Sequence, residues 1–275
     1  MRHTVITPSG QKTTGVPLRA ELNDVFHDVR VAWYLALKSV GREFFGFSLG
    51  RIWFLLEPAL QALTYWVLLR YIFEATGAGV SFATFFAAAT FWRSHASMLV
   101  NSARIVTDSS HFAASNISLR VPFLVFLLEE MIAFGFRLAI LLLFLVIAGY
   151  SLHWKIAYIL YIAVVQFAFT MSLSVWLSVF GGLYKDVSRI VGHAVWLWWY
   201  CSPGLYVISR VPKDVRWLYD LNPFAKIFPA LIDISTKNVA THGAALFYIL
   251  VLSIVFMVPG AWLASGMRQR IYFKV

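Results

Sequence analysis

Phe44–Phe73 reads FFGFSLGRIWFLLEPALQALTYWVLLRYIF, and its reading decides the fold. The first third is punctuated by Gly46 and Gly50, and Arg42 and Arg51 are its cations. From Ile52 onward only Glu57, Gln61, Thr64 and Arg70 interrupt an apolar run. At about 1.5 Å per residue such a run crosses a hydrocarbon core of roughly 30 Å. A crossing that opens on basic residues and holds Glu57-Pro58 in its second turn is unusual, because an ionisable group at that depth is costly. A buried helix of a large soluble protein is the alternative, and composition argues against it.

The chain of 275 residues is 60 % hydrophobic and 13 % charged, with a mean hydropathy of +0.73. Soluble domains run near 45–50 % apolar and about 25 % charged. Several further apolar runs of similar length make this a polytopic, all-α membrane protein with little outside the bilayer. The formal charge is +10, yet the cations flank apolar runs rather than forming a basic domain. That distribution fits orientation in a membrane and contact with anionic headgroups, not nucleic acid. The lone Cys201 has no intrachain partner and says nothing about redox compartment.

Outward from the opening stretch, residues 1–22 are polar and read as a loose cytosolic tail without a secretory h-region. Over residues 23–43 the apolar positions Val25, Phe26, Val29, Ala32, Trp33, Ala36, Leu37 and Val40 recur at helical spacing. This predicts an amphipathic helix in the membrane interface. Residues 44–275 then divide into six spans: 52–73, 80–100, 123–150, 154–183, 190–208 and 244–266. With the amino terminus inside, fourteen lysines and arginines fall on the cytosolic face and six on the opposite one, so both termini are expected in the cytoplasm. The segment VRWLYDLNPFAKIFPALIDI, between the fifth and sixth spans, is too apolar for a hydrated loop and reads as short re-entrant helices.

Nucleotide-cradling and metal-binding motifs are absent from the sequence. There is no G-x-x-x-x-G-K-[ST] to hold ATP phosphates and no H-E-x-x-H or paired-cysteine metal spacing. His95 and His193 lie in or near spans and read first as helix–helix hydrogen-bonding groups.

The run Phe47–Pro58, FSLGRIWFLLEP, resembles the L-G-x-x-W-x-x-L-x-P opening of the first span in permease subunits of type-2 ABC exporters, in the branch that exports capsular polysaccharide, O-antigen and teichoic acid. LYKDVSRIVGHAVWLWWYCSPGLYVISRVP resembles that family's acidic-basic turn, fifth span and S-P break. WLYDLNPFAKIFPAL resembles its re-entrant L-N-P segment. The L-E-P form leans toward the capsular branch, and the second loop, Asn116–Pro122, matches the family's K-x-x-x-P form only loosely.

The resemblance implies a non-catalytic permease of the bacterial inner membrane that works as a homodimer. It further implies two copies of a separate cytosolic ATPase that binds ATP and Mg, a polysaccharide substrate, membrane lipids around the pair, and room for a periplasmic co-polymerase or export protein. Between the protomers runs a conduit, for which Trp53, Tyr65, Trp66, Trp196, Trp199, Tyr200 and Tyr206 are the candidate stacking surfaces. An ordinary interfacial belt is the plainer use of such rings. Arg30, Lys38, Arg42 and Arg51 lie where a lipid-linked sugar phosphate would arrive, or else only set topology. Asp108, Ser109, Ser110, His111 and Phe112, on a short helix within 105–115, are the expected docking knob for the ATPase, with Lys185 and Asp186 as a secondary contact. Glu57 is expected to pair with Arg93 or Arg51. The competing readings are a same-fold exporter of a drug or lipid, and an ion-coupled carrier or membrane enzyme using Glu57, Glu129, Glu130 and the intramembrane arginines.

Overall fold

The computed structural model describes residues 4–7, 10–13, 18–46, 52–72, 81–105, 120–151, 154–204, 206 and 211–272. The polar amino-terminal stretch is not shapeless throughout: β1 (Thr4–Thr7) and β2 (Gly10–Thr13) pair antiparallel as a small hairpin. The first helix, α1 (Leu18–Gly46), starts five residues earlier than the apolar periodicity suggests. Among its described side chains the buried positions are Asp28, Ala32, Ala36 and Val40, one per turn, and it packs on α4 (Val121–Ile147). Alanines on that stripe let two helices approach closely.

The opening stretch forms α2 (Trp53–Val67), which loosens into a π-helical turn over Leu68–Ile72. Pro58 sits inside α2, where it removes one backbone donor. Next comes α3 (Phe82–Ser102), capped by Ser81, whose side chain accepts from the Thr84 N–H at 3.2 Å. This helix is the hub of the molecule, with α2, α4, α5 (Lys155–Leu183), α6 (Val187–Tyr200) and α8 (Phe224–Ile232) all packed on it. Its run Ala87-Ala88-Ala89 is buried on every side, as are Phe85, Phe86, Phe91 and Trp92. In lipid the hydrophobic effect hardly favours helix association, so close packing of small residues and interlocked rings must supply it. Phe86 lies 4.5 Å from Phe144 of α4, and Phe91 lies 6.0 Å from Phe134, centroid to centroid.

Three helices among the described residues are long and apolar enough to cross a membrane: α4, α5 and Gly243–Ala264 of α9 (Gly243–Tyr272). The other three expected spans correspond to α2, α3 and α6. Of these, α2 has fifteen residues before its π turn, and α6 has fourteen. α3 has twenty-one, but Thr84, Thr90, Arg93, Ser94, His95, Ser97 and Asn101 dilute its apolarity. The fifth run stops at Tyr200, ahead of Ser202-Pro203-Gly204, rather than continuing to residue 208.

Between α6 and α9 lie a short 3-10 turn (Lys213–Val215), α7 (Arg216–Asp220) and α8, the last continuing as a π turn over Asp233–Lys237. Phe224, Ala225, Ile227, Phe228, Ala230 and Leu231 of α8 are all buried, so the apolar segment between the last two runs is part of the core. The longest helix pair is α5 with α9. There Trp176 Nε1 donates to the Phe256 carbonyl at 3.0 Å, and Gly260 leaves room for the indole.

Candidate functional site

A cleft of about 720 Å³ opens between α2, α3 and α6. Helical spacing builds each wall. Trp53, Glu57, Gln61 and Tyr65 recur every four residues along α2; Arg93, Ser97 and Asn101 do so along α3; Gly192, Trp196 and Trp199 come from α6. Trp196 (59 % exposed) and Trp53 (43 %) stand at the rim, whereas Trp92 and Trp199 (3 % each) form the floor. Trp92 and Trp199 meet at 5.3 Å, and Tyr65 leans on Trp199 at 5.9 Å. Tyr65 also donates its hydroxyl to that of Tyr200 at 3.1 Å, and Trp196 meets Tyr200 edge-on at 5.0 Å.

Five of the seven candidate stacking residues, Trp53, Tyr65, Trp196, Trp199 and Tyr200, therefore come together on or beside the cleft. Trp66 does not. It points to the other side of α2, edge-on to Tyr71 and Phe82. Tyr206 lies past the S-P break, where it donates to the Tyr200 carbonyl at 3.0 Å and shares a 2.6 Å hydrogen bond with Tyr219.

Arg93 Nη2 lies 2.6 Å from Glu57 Oε2, so the two charges inside these runs neutralise each other across α2 and α3. The pair is half-buried in the cleft wall, with 45 % of the Glu57 side chain and 37 % of Arg93 exposed. Behind the wall, Asn101 Nδ2 donates to Glu130 Oε1 at 2.7 Å and Ser97 Oγ to the same carboxylate at 3.1 Å, tying α3 to α4. His95 takes the helix–helix role expected of it, with Nδ1 2.8 Å from Thr170 Oγ1 of α5. His193, by contrast, is exposed.

Sequence reasoning missed Trp92, Gln61, Ser97 and Asn101 as parts of this wall. For Gln61, Ser97 and Asn101 the available signal was their phase relative to Glu57 and Arg93, since residues three and four apart share a helix face; Trp92, next to Arg93, carried no such signal.

On α1, Arg30, Lys38 and Arg42 are exposed and two residues out of phase with the buried stripe, which places them on the opposite face. Arg51 and the knob Asp108–Phe112 lie outside the described residues. Lys185 and Asp186 form the exposed turn that leads into α6.

The L-N-P segment has a clear local purpose. Asn222 Oδ1 accepts from Trp198 Nε1 (3.2 Å) and the Phe224 N–H (3.1 Å), and its Nδ2 donates to the Cys201 carbonyl (3.2 Å) and Ser202 Oγ (3.1 Å). One side chain thus joins the end of α6 to the start of α8.

No protein-family model matches the chain. Two curated relatives do, both named O-antigen export system permease protein RfbA, from Klebsiella pneumoniae. One is 25 % identical over 230 residues, which is 81 % of this chain and 86 % of the relative. The other is 25 % identical over 183 residues, 65 % of this chain and 69 % of the relative. The chain is distantly similar to O-antigen export permeases. That likeness takes in most of the helical bundle described above.

Proposed function

We propose that this chain is the transmembrane subunit of an ATP-driven exporter, and that it moves a lipid-linked or capsular polysaccharide across the bacterial inner membrane along a path between two copies of itself. The observation that carries this reading is the likeness to O-antigen export permeases over 81 % of the chain. The aromatic cleft adds physical support. The C–H faces of sugars pack on indole and phenol rings while their hydroxyls stay hydrated, which is the amphipathic use that Trp53, Tyr65, Trp196 and Trp199 offer.

The chain has no phosphate-cradling loop, so the motor is a separate ATPase that holds ATP and Mg. It docks against Asp108–Phe112 and the exposed Lys185–Asp186 turn, and its closure shifts the attached helices as rigid bodies. The outward cations of α1, Arg30, Lys38 and Arg42, collect the phosphate of a lipid-linked sugar, with Arg51 beside them in sequence. Both termini stay in the cytoplasm.

Purification in detergent together with the ATPase encoded beside it tests the assembly, which is expected to contain two copies of each subunit and to hydrolyse ATP. Deleting the gene is expected to leave glycan polymer inside the cell. An ATPase complex whose loss traps no polymer would favour a smaller lipid or drug as cargo. Transport driven by a proton gradient with no ATPase would overturn the proposal.

A further inference from the structure

The cleft is unusual in where it keeps charge. The chain carries a formal +10, yet among the described residues one cation and one anion line this cleft, and they are bound to each other at 2.6 Å. The cations of α1 are elsewhere: α1 packs on α4, and none of its described residues lines the cleft. Behind the wall lies the Glu130 carboxyl, held by Ser97 and Asn101 and acted on by the charge of Arg137 from the same helix.

We infer that the cleft selects an uncharged stretch of glycan, and that the Glu57–Arg93 pair sets this preference. The inference rests on the conduit reading above. A uronate, sialate or phosphodiester leaving water needs a free cation to replace its lost hydration. The only cleft cation among the described residues already has its charge offset by a carboxylate. An anionic sugar that approaches Arg93 either displaces Glu57, exchanging one carboxylate for another, or binds the remaining N–H groups with the Glu57 carboxylate beside it as a like charge. A polyol faces no such exchange. The second Glu57 oxygen accepts from one hydroxyl, the remaining Arg93 N–H groups donate to its neighbour, and both side chains are exposed enough to be reached. Acceptor and donors held side by side match adjacent hydroxyls on one ring, while Trp53 and Trp196 at the rim take its C–H face.

The test uses the purified complex with its ATPase in lipid nanodiscs, titrated by calorimetry with neutral heptasaccharides (maltoheptaose and a mannan-derived heptamer) and with an oligogalacturonate of equal length. The neutral chains are expected to bind at least about tenfold more tightly than the anionic one, the scale of an unfavourable charge juxtaposition. Glu57→Gln frees Arg93 without changing shape and is expected to narrow that gap severalfold. Anionic binding equal to or tighter than neutral in the unaltered protein would overturn the inference while leaving the glycan conduit standing. A gap unchanged in Glu57→Gln would remove the ion pair from the assignment. Binding of neither class would sink the conduit reading itself, and this inference with it.

Discussion

At the scale of single residues, Asn222 joins the end of α6 to the start of α8. Its amide uses both ends, two donors toward the break after α6 and one acceptor shared by Trp198 and the first turn of α8. Each such bond is worth on the order of 1 kcal/mol net, and stranding a buried partner costs more. Asn222→Ala is therefore expected to cost roughly 2–4 kcal/mol, read as a clear fall in the detergent unfolding midpoint. Asn222→Asp keeps the acceptor and loses the donors, so it should fall between the two; a wild-type midpoint for Asn222→Ala would show that α8 is held by its apolar face alone. Sequence order marked Asn222 as part of a motif, but its four partners come from four separate positions, and no local pattern names them. Tyr65 and Trp66 show the opposite case. Tyr65 continues the four-residue repeat of Trp53, Glu57 and Gln61, whereas Trp66 is turned about 100° further round the helix, so spacing alone could have separated them.

At the scale of elements, the bundle depends on how closely α3 and α5 approach. A methyl on Gly181 would collide with the Ala103 carbonyl oxygen, which is backbone and cannot move alone. Gly181→Ala must push apart the ends of two buried helices, at a cost of about 1–3 kcal/mol or more. Gly135→Ala is the matched control: it lies mid-helix in α4 with nothing within 4 Å, so it should stabilise by up to about 1 kcal/mol through helix propensity. Opposite shifts in unfolding midpoint are expected, and equal shifts would refute the close-approach argument. Helices were the most legible elements, since runs such as α4 and α5 leave no other secondary structure that satisfies the backbone in lipid. The hairpin of β1 and β2 was not legible, because a short polar turn has no periodicity to read. The break that ends α6 was legible in Pro203-Gly204, since Pro203 has no N–H to carry the helix on, although the run was expected to resume as far as residue 208.

At the scale of the whole molecule, the cleft and the motor must communicate. Ser97 and Asn101 line the cleft on α3 and hold Glu130 of α4, the helix that follows the 106–119 segment containing the proposed knob. Alanine at Asp108, His111 and Phe112 together is expected to weaken ATPase copurification by about tenfold or more while the permease still folds, since a few contacts carry most docking energy. Unchanged copurification and export would move the docking site to the Lys185–Asp186 turn or elsewhere. Composition, apolar run lengths and the placement of cations were enough to establish a helical membrane protein, because a bilayer imposes those terms on any chain that crosses it. The motifs that resemble export permeases were readable for the same reason, being local in sequence. Which rings share a surface, that Glu57 meets Arg93, and that among the described residues no other cation lines the cleft were decided only by tertiary structure. Those facts depend on the relative rotation and separation of α2, α3 and α6, and packing between distant segments sets both.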